Sequence, residues 1–369
     1  MESLKSGFGT DVAAGIAARL ARAWPPFPVE AFLRRAGDGF DDLELTGRAR
    51  HIAGALGECL PSPFPVAADI VEAALGPPQT AEEPDGGMAS FVDLPYVYWV
   101  AEAGLEHPVR ALEFQRELTR RFTAEFSIRR YIEVHPELTM ATLTRWTTDP
   151  DGQVRRLVSE GTRPRLPWAA QLTAFRRDPT PIIPLLEALR DDPSSYVRRS
   201  VANNLNDVSK DHPDLVLDVA RRWMRDAGDH RRALIRHALR TLLRDANPAA
   251  FAILGAGTTD EVRVQRLRID PPAPRIGERV TVSWRLEHGS STAVATIVHL
   301  RVHYVRPAGT SERVFTIGER TLEPHRAQPM RRSISLAQMS TRTHHPGVHR
   351  VEVLVNGVVR AEGTFDLRA

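Results

Sequence analysis

Trp146-Thr-Thr-Asp-Pro-Asp-Gly-Gln-Val154-Arg155-Arg156 lies without gaps on Leu189-Arg-Asp-Asp-Pro-Ser-Ser-Tyr-Val197-Arg198-Arg199, a register of 43 residues. In both copies one helix runs into a polar Asp/Pro turn. The next helix then starts on small or acidic residues before its apolar positions take up helical spacing. Trp223-Met-Arg-Asp-Ala-Gly-Asp-His, leading into Arg231, Arg232 and the run Leu234 to Leu243, is a looser third copy. A period near forty residues is that of two-helix HEAT-type repeats. One such pair cannot bury its apolar side alone, so the copies must stack into a solenoid.

Towards the N-terminus the helical spacing continues, in Val12, Ile16 and Leu20 and again in Ala68, Ile70, Val71 and Leu75. Gly76-Pro77-Pro78 ends that stretch, the acidic, Pro- and Gly-bearing run from Gln79 to Gly87 reads as a loop, and helices resume near Leu94. After about Gly255 the pattern changes to alternation: Val262, Val264, Leu267, Ile269; Val280, Val282, Trp284, Leu286; Ile297, Leu300, Val302, Tyr304. Asn356-Gly357 between two apolar runs signals a hairpin. About seven short strands imply an immunoglobulin-type β-sandwich without its disulfide, with Trp284 in the core. The expected fold is an all-α HEAT-like-repeat solenoid over residues 1–258 followed by an all-β immunoglobulin-like sandwich over 259–369.

Composition sets the bounds. At 369 residues, with 42 % hydrophobic and 26 % charged residues, the chain has ample core and an ordinary globular balance. It holds no run of eighteen apolar residues, and Met-Glu-Ser-Leu-Lys does not open a signal peptide, so a cytoplasmic protein with no membrane partner is expected. One cysteine, Cys59, excludes a disulfide framework and a thiolate-rich metal site. The thirteen histidines show no helical His-x-x-x-His pair, and His344-His345 lies in a polar, turn-like stretch beside Pro346, so neither metal nor cofactor is expected. Net charge is only +3, but arginine far outnumbers lysine, and arginine is the side chain that forks onto phosphates.

The second helix of each repeat carries the arginines: Arg155, Arg156, Arg198, Arg199, Arg231, Arg232, Arg236 and Arg240. Arg163, Arg165, Lys210 and His212 add to them near helix ends, where nucleic-acid backbones are clamped. An alternative reading gives one arginine of each pair to bracing the neighbouring repeat. Three carboxylates, Glu125, Glu160 and Asp207, sit among these cations. In a phosphate-binding groove a carboxylate needs a reason. Either it holds a cation, such as an N-alkylated base or a deoxyribose whose glycosidic bond is breaking, or it braces an arginine. Trp168, presented by Pro167 at a helix start, would offer its indole face to such a cation or pack into the core. Trp146 and Trp223 fit between helices. Tyr96 and Tyr98 belong mainly to an apolar helix face.

The runs Glu160-Gly-Thr-Arg-Pro-Arg-Leu-Pro-Trp168, Tyr196-Val-Arg-Arg-Ser-Val-Ala-Asn-Asn-Leu-Asn-Asp207-Val-Ser-Lys-Asp-His-Pro and Ile235-Arg-His-Ala-Leu-Arg-Thr-Leu-Leu resemble the AlkC branch of the HEAT-like-repeat DNA glycosylases. Ala124-Glu125-Phe-Ser-Ile-Arg and the segment from Leu94 to Glu106 extend the likeness over most of residues 1 to about 260, and some members also carry a C-terminal immunoglobulin-like domain. The resemblance implies a monofunctional glycosylase, hydrolysing N-glycosidic bonds in duplex DNA to release positively charged bases, chiefly N3-methylcytosine and N3-methyladenine, without metal and without burying the damaged base in a tight pocket. It implies Glu125, Glu160 and Asp207 as lesion-facing carboxylates, Trp168 as the aromatic against the lesion, and Arg156, Arg163, Arg199 and Lys210 as backbone grips. No protein partner is implied, and a monomer is the default. The rival reading is a non-catalytic repeat scaffold that binds damaged or branched DNA or a protein. An RNA-reading repeat would need base-reading side chains at fixed offsets, whereas these repeats share Val-Arg-Arg and little else.

Overall fold

In a computed structural model the described residues are 8–79, 88–256, 260–289, 291–339 and 342–369. Apart from Gln79, the acidic loop read over Gln79 to Gly87 lies outside them. The chain divides into two compact units, 1–211 and 212–369.

The first unit is helical: α1 (Thr10–Ala23), α2 (Val29–Gly37), α3 (Leu45–Cys59), α4 (Phe64–Ala74), α5 (Leu94–Ala103), α6 (Pro108–Thr119), α7 (Glu125–Val134), α8 (Pro136–Trp146), α9 (Gly152–Gly161), the short α10 (Thr173–Arg177), α11 (Ile183–Leu189) and α12 (Ser195–Val208). Helices α3, α5, α7, α9 and α12 pack one on the next as a continuous layer. Helices α4, α6, α8 and α11 pack behind it. This is the two-layer stacking of a helical repeat.

The 43-residue register appears as repeated geometry. Asp149 and Asp192 each accept, through Oδ1, the backbone N–H two residues on, at 2.9 Å in both turns. The caps Asp151 and Ser194 then each accept a backbone N–H of the helix they begin. The first arginine of each Val-Arg-Arg folds back on its own turn: Arg155 donates to Asp149 O and Pro150 O, and Arg198 to Asp192 O and Pro193 O. Arg155 also forks onto Asp192 of the following repeat at 2.6 and 3.0 Å, as Arg116 reaches Asp149 at 2.7 Å. The bracing of a neighbouring repeat is therefore real for Arg155, while Arg198 ties its own turn. Trp146 is buried between helices, as expected.

The second unit opens with α13 (Pro213–Met224), α14 (Asp229–Ala238), α15 (Arg240–Arg244) and α16 (Pro248–Ile253). The looser third copy keeps the fold-back, since Arg232 donates to Ala227 O at 2.9 Å, and Trp223 is buried. Seven strands follow: β1 (Val262–Asp270), β2 (Arg279–His288), β3 (Val294–Arg306), β4 (Gly309–Leu322), β5 (Gln328–Ser335), β6 (Gly347–Val355) and β7 (Val358–Leu367). They form two antiparallel sheets, ordered β1-β2-β5 and β4-β3-β6-β7. Alternate residues such as Val280, Val282, Trp284, Leu300, Val302 and Val353 meet in one buried core. Asn356 and Gly357, with φ of 50° and 80°, make the turn that joins β6 to β7.

Candidate active site

Helices α7, α9 and α12 each bring one carboxylate to the same seam, and each does so from a helix end. Glu125 is the first residue of α7, where the helix dipole favours an anion. Glu160 lies in the last turn of α9 and Asp207 in the last turn of α12. Side-chain exposures of 12 %, 7 % and 2 % mean that none of the three is an ordinary surface acid.

Between them run arginines. Arg156 Nη1 lies 2.8 Å from Glu125 Oε2, and its Nη2 lies 3.6 Å from Glu160 Oε1. Arg163 donates to Glu160 Oε1 at 2.6 Å and to Asp207 Oδ2 at 2.8 Å. Lys210 closes the row on Asp207 Oδ1 at 2.9 Å. The result is an unbroken alternation of charge, Glu125, Arg156, Glu160, Arg163, Asp207, Lys210, with no net charge over its six members. Alternation is the condition under which so many buried ions can coexist, because each desolvated charge has an opposite neighbour on either side.

The protonation states follow. Burial pushes the Glu160 carboxyl up, but Arg156, Arg163 and the Ser200 hydroxyl outweigh it and hold the group below the ordinary carboxylate range. Burial pulls Arg156 down, and Glu125 and Glu160 more than restore it. Arg156 also lies over the Tyr196 ring, 4.9 Å from its centroid. All three acids thus sit beside permanent cations. Their oxygens are not equally engaged, however. Glu160 takes Arg163 on Oε1 and Ser200 on Oε2, and Asp207 takes Arg163 and Lys210 on separate oxygens. Glu125 takes both Thr123 and Arg156 on Oε2, so its Oε1 has no partner among the described residues.

Several members of the site were not singled out in the sequence. Ser200 donates to Glu160 Oε2 at 2.6 Å and accepts from Ser159 at 2.7 Å, and Asn204 ties the same turn of α9 through Ser159 O and Thr162 Oγ1. Arg129 is buried and gives all its described bonds to backbone: Gly161 O, Arg163 O and Ala170 O, at 3.1, 2.7 and 2.6 Å. It thereby brackets the loop that carries Trp168. Burial pushes it down to about 10. Gly161 permits this approach, since a Cβ there would meet Ile128 Cγ2 at 2.4 Å. The signal available was Ile128-Arg129-Arg130, a second arginine pair one turn after Glu125.

Trp168 corrects two expectations. Pro167 does not start a helix; residues 167 and 168 lie in a turn, and the next helix is α10. Nor is Trp168 core: it is 72 % exposed and holds φ at +63°, a conformation that costs a non-glycine residue of order 1 kcal/mol. Tyr96 is fully buried and Tyr98 half-buried.

The basic residues divide. Arg156 and Arg163, expected among the backbone grips, are buried inside the row of charges. Arg165 pairs with Asp211 at 2.7 Å, which Arg176 also reaches, and the two guanidiniums hold the Asp211 carboxyl far below its usual range. Arg199 and Lys210 are exposed. In the second unit His212 precedes α13, Arg236 is exposed and pairs with Glu319, and Arg240 donates to His237 O at 2.7 Å. Among the described residues no group of three or more His, Cys, Asp or Glu is placed to hold a metal ion, and no helix is long and apolar enough to cross a membrane.

A helical repeat with a buried seam of alternating acids and arginines, followed by an immunoglobulin-like sandwich, defines a HEAT-like-repeat protein of two-part architecture. Residues 263–369 match a family model described as the C-terminal immunoglobulin-like domain of the uncharacterised protein YhaZ. Over 369 residues, the whole of both chains, the protein is 32 % identical to the uncharacterised YhaZ of Bacillus subtilis strain 168. It is also 32 % identical to Pseudomonas fluorescens alkylpurine DNA glycosylase AlkC, solved bound to DNA containing an abasic site analogue, with a TM-score of 0.91 and full coverage of both chains. The chain belongs to the AlkC family.

Proposed function

We propose that the protein is a DNA glycosylase that removes positively charged N-alkylated bases, N3-methylcytosine and N3-methyladenine, from duplex DNA. The observation that carries this reading is the seam of three buried carboxylates set among arginines, with one carboxylate oxygen, Glu125 Oε1, left for a ligand. A phosphate-binding surface gains nothing from buried acids unless a cation must be met there.

The chemistry follows from charge. An N3-alkylated base already carries a positive charge and leaves as a neutral molecule, so no acid is needed to protonate it. What develops instead is positive charge at C1′ and the ring oxygen of the sugar, and a fixed carboxylate lowers the energy of that state. Arg156 and Arg163 keep Glu160 ionised and hold its geometry, so the acids do not reorganise as the bond breaks. Glu125, whose Oε1 is available, is the group assigned to the oxocarbenium-like centre or to the water that adds to C1′. The exposed indole of Trp168 covers the cationic base. Neutral bases lack the leaving-group advantage and are poor substrates. Arg199 and Lys210, both exposed, are assigned to phosphates, and so are Arg236 and Arg240 of the second unit.

The scaffold reading is favoured by one fact: every acid in the seam already has an arginine or threonine partner, as a brace would. Base release decides between them. Duplexes with a single N3-methylcytosine or N3-methyladenine are incubated with wild type and Glu125→Gln, and binding to an abasic duplex is followed in parallel. The expected result is release by wild type, a loss on the order of 100-fold in Glu125→Gln, and binding within a few-fold of wild type. Tight binding with no release from either lesion by the wild type would leave the scaffold.

A further inference from the structure

A cavity of about 750 Å³ opens on the first unit between α3, α5, α7 and the loop that carries Trp168. That volume lies within the roughly 300–1,000 Å³ of small-ligand sites. Three of its lining side chains are aromatic faces open to a ligand: half-buried Tyr98 and Phe126, with rings 17° from parallel, and exposed Trp168. Two are cations on its rim. Arg50 lies over the Tyr98 ring, 5.0 Å from the centroid, and Arg130 stands 3.9 Å from Glu102. Flat apolar faces beside guanidiniums are the chemistry that receives a nucleotide, the base on the rings and the phosphate on the cations.

Helix α3 adds an independent observation. Gly54 and Gly57 line the cavity, and a Cβ at either would meet nothing within 4 Å. Glycine weakens a helix interior. Neither glycine is needed for the protein's own packing, and each keeps that side of the cavity open. Arg129 connects the cavity to the charged seam: it lines the wall and fixes the loop on which Trp168 stands.

We propose that this cavity is a subsite for one nucleotide unstacked from the bound DNA next to the lesion, with its base against Tyr98 and Phe126 and its phosphate on Arg50 and Arg130. The proposal rests on the reading of the protein as a DNA enzyme. It adds that the distorted strand is held at a place separate from the carboxylates, so that the energy of unstacking is recovered in protein contacts.

The test compares two duplexes of one sequence, one intact and one with an abasic site analogue, by fluorescence anisotropy with wild type, Gly57→Leu and Arg50→Gln. Leucine at position 57 enters open space on a helix, so it fills the cavity without crowding the fold, and thermal melting checks that. The expected result is that Gly57→Leu loses about tenfold or more in affinity for the abasic duplex while binding to the intact duplex stays within twofold. Arg50→Gln, a surface change, shifts the same ratio in the same direction and serves if the leucine disturbs folding. Unchanged ratios in both variants, or equal losses on both duplexes, overturn the subsite. Because the readout is binding, it holds even if wild type releases no base, the outcome that would sink the glycosylase reading alone.

Discussion

Both units bury ionisable side chains, and they differ in how far that burial is paired. The helical unit buries charges in alternation, so Glu160 and Arg156 stay ionised at a depth where a single ion would be expelled or neutralised. The strand unit pairs one buried acid, Glu352, with Arg301 and Arg350, and beside it buries histidines that lack a carboxylate partner among the described residues, such as His299, His344 and His349. His299, 2 % exposed and packed edge-on against Phe251, is pushed by burial and by Arg301 and Arg244 down to about 4. His344 and His349, on either side of Tyr304, are lowered for the same first reason. Paired ions hold their charge over a wide range of pH and can meet a ligand's charge. Neutral histidines offer no such field and serve packing. The larger set of buried, paired charges lies in the helical unit.

The strongest way to break the comparison is to remove a shared cation. Arg163 serves Glu160 and Asp207 together, so Arg163→Met takes a cation from two buried carboxylates at once and leaves Glu160 to Arg156 and Asp207 to Lys210. Loss of one partner from a buried pair costs about 3–5 kcal/mol, and urea denaturation of the helical unit should show a loss in that range. Glu160 should then titrate higher than in the wild type, with Arg156 and Ser200 still holding it. A cost below about 1 kcal/mol would mean that the seam is wetter and looser than its 2.6 and 2.8 Å contacts imply.

Acid should separate the units next. For His299 the folded state refuses a proton that the unfolded state accepts near pH 6.5, so its stabilising contribution is intact above that value. It falls as pH drops towards 4. The loss amounts to roughly 3 kcal/mol by the lower limit. Glu160 shifts in the same direction in a lower window: its folded pKa is also depressed, so its contribution is intact above the ordinary carboxylate range and is lost as pH falls from there through the lower folded value. Between pH 6.5 and 5 the strands therefore weaken while the seam does not. Hydrogen exchange corrected for intrinsic rates should show opening of β3 and β6 in that window before α9 and α12, and His299→Phe should flatten the change. Equal opening in both units would contradict the contrast.

How much of this could be read from the chain differs by feature. The 43-residue register was legible because Asp149 and Asp192, Asp151 and Ser194, and Arg155 and Arg198 repeat both in residue type and in the bond each makes. The strands were legible from alternation, and the hairpin from Asn356-Gly357. The three carboxylates could be found as acids out of place among arginines. Their partners could not be assigned. Arg156 and Arg199 occupy the same position in successive repeats, yet one is sunk between Glu125 and Glu160 and the other is exposed, a difference that residue type and spacing do not carry. Ser200, Asn204 and Arg129 are polar residues in helices, and nothing in their spacing says that they face inward. The histidines of β3 escaped notice for a related reason. Alternation identifies one buried face, and His299 lies on the other, which Phe251 covers.

The smallest effect comes from two glycines of opposite standing. Gly54 sits inside α3 with open space where a Cβ would go, so Gly54→Ala gains helix propensity and meets nothing. Gly357 turns β6 into β7 at φ +80°, and a Cβ there would lie 2.8 Å from Phe251 Cε2. Gly54→Ala should therefore raise the stability of the helical unit by about 0.5–1 kcal/mol, while Gly357→Ala should lower that of the strand unit by at least as much through φ strain and contact. Thermal melts read both signs. If Gly54→Ala were destabilising, the open space beside α3 would have to be filled by the protein itself, and the nucleotide subsite would lose its floor. A gain in stability accompanied by weaker binding to the abasic duplex would instead mean that the helix forgoes stability at this position to leave room for DNA.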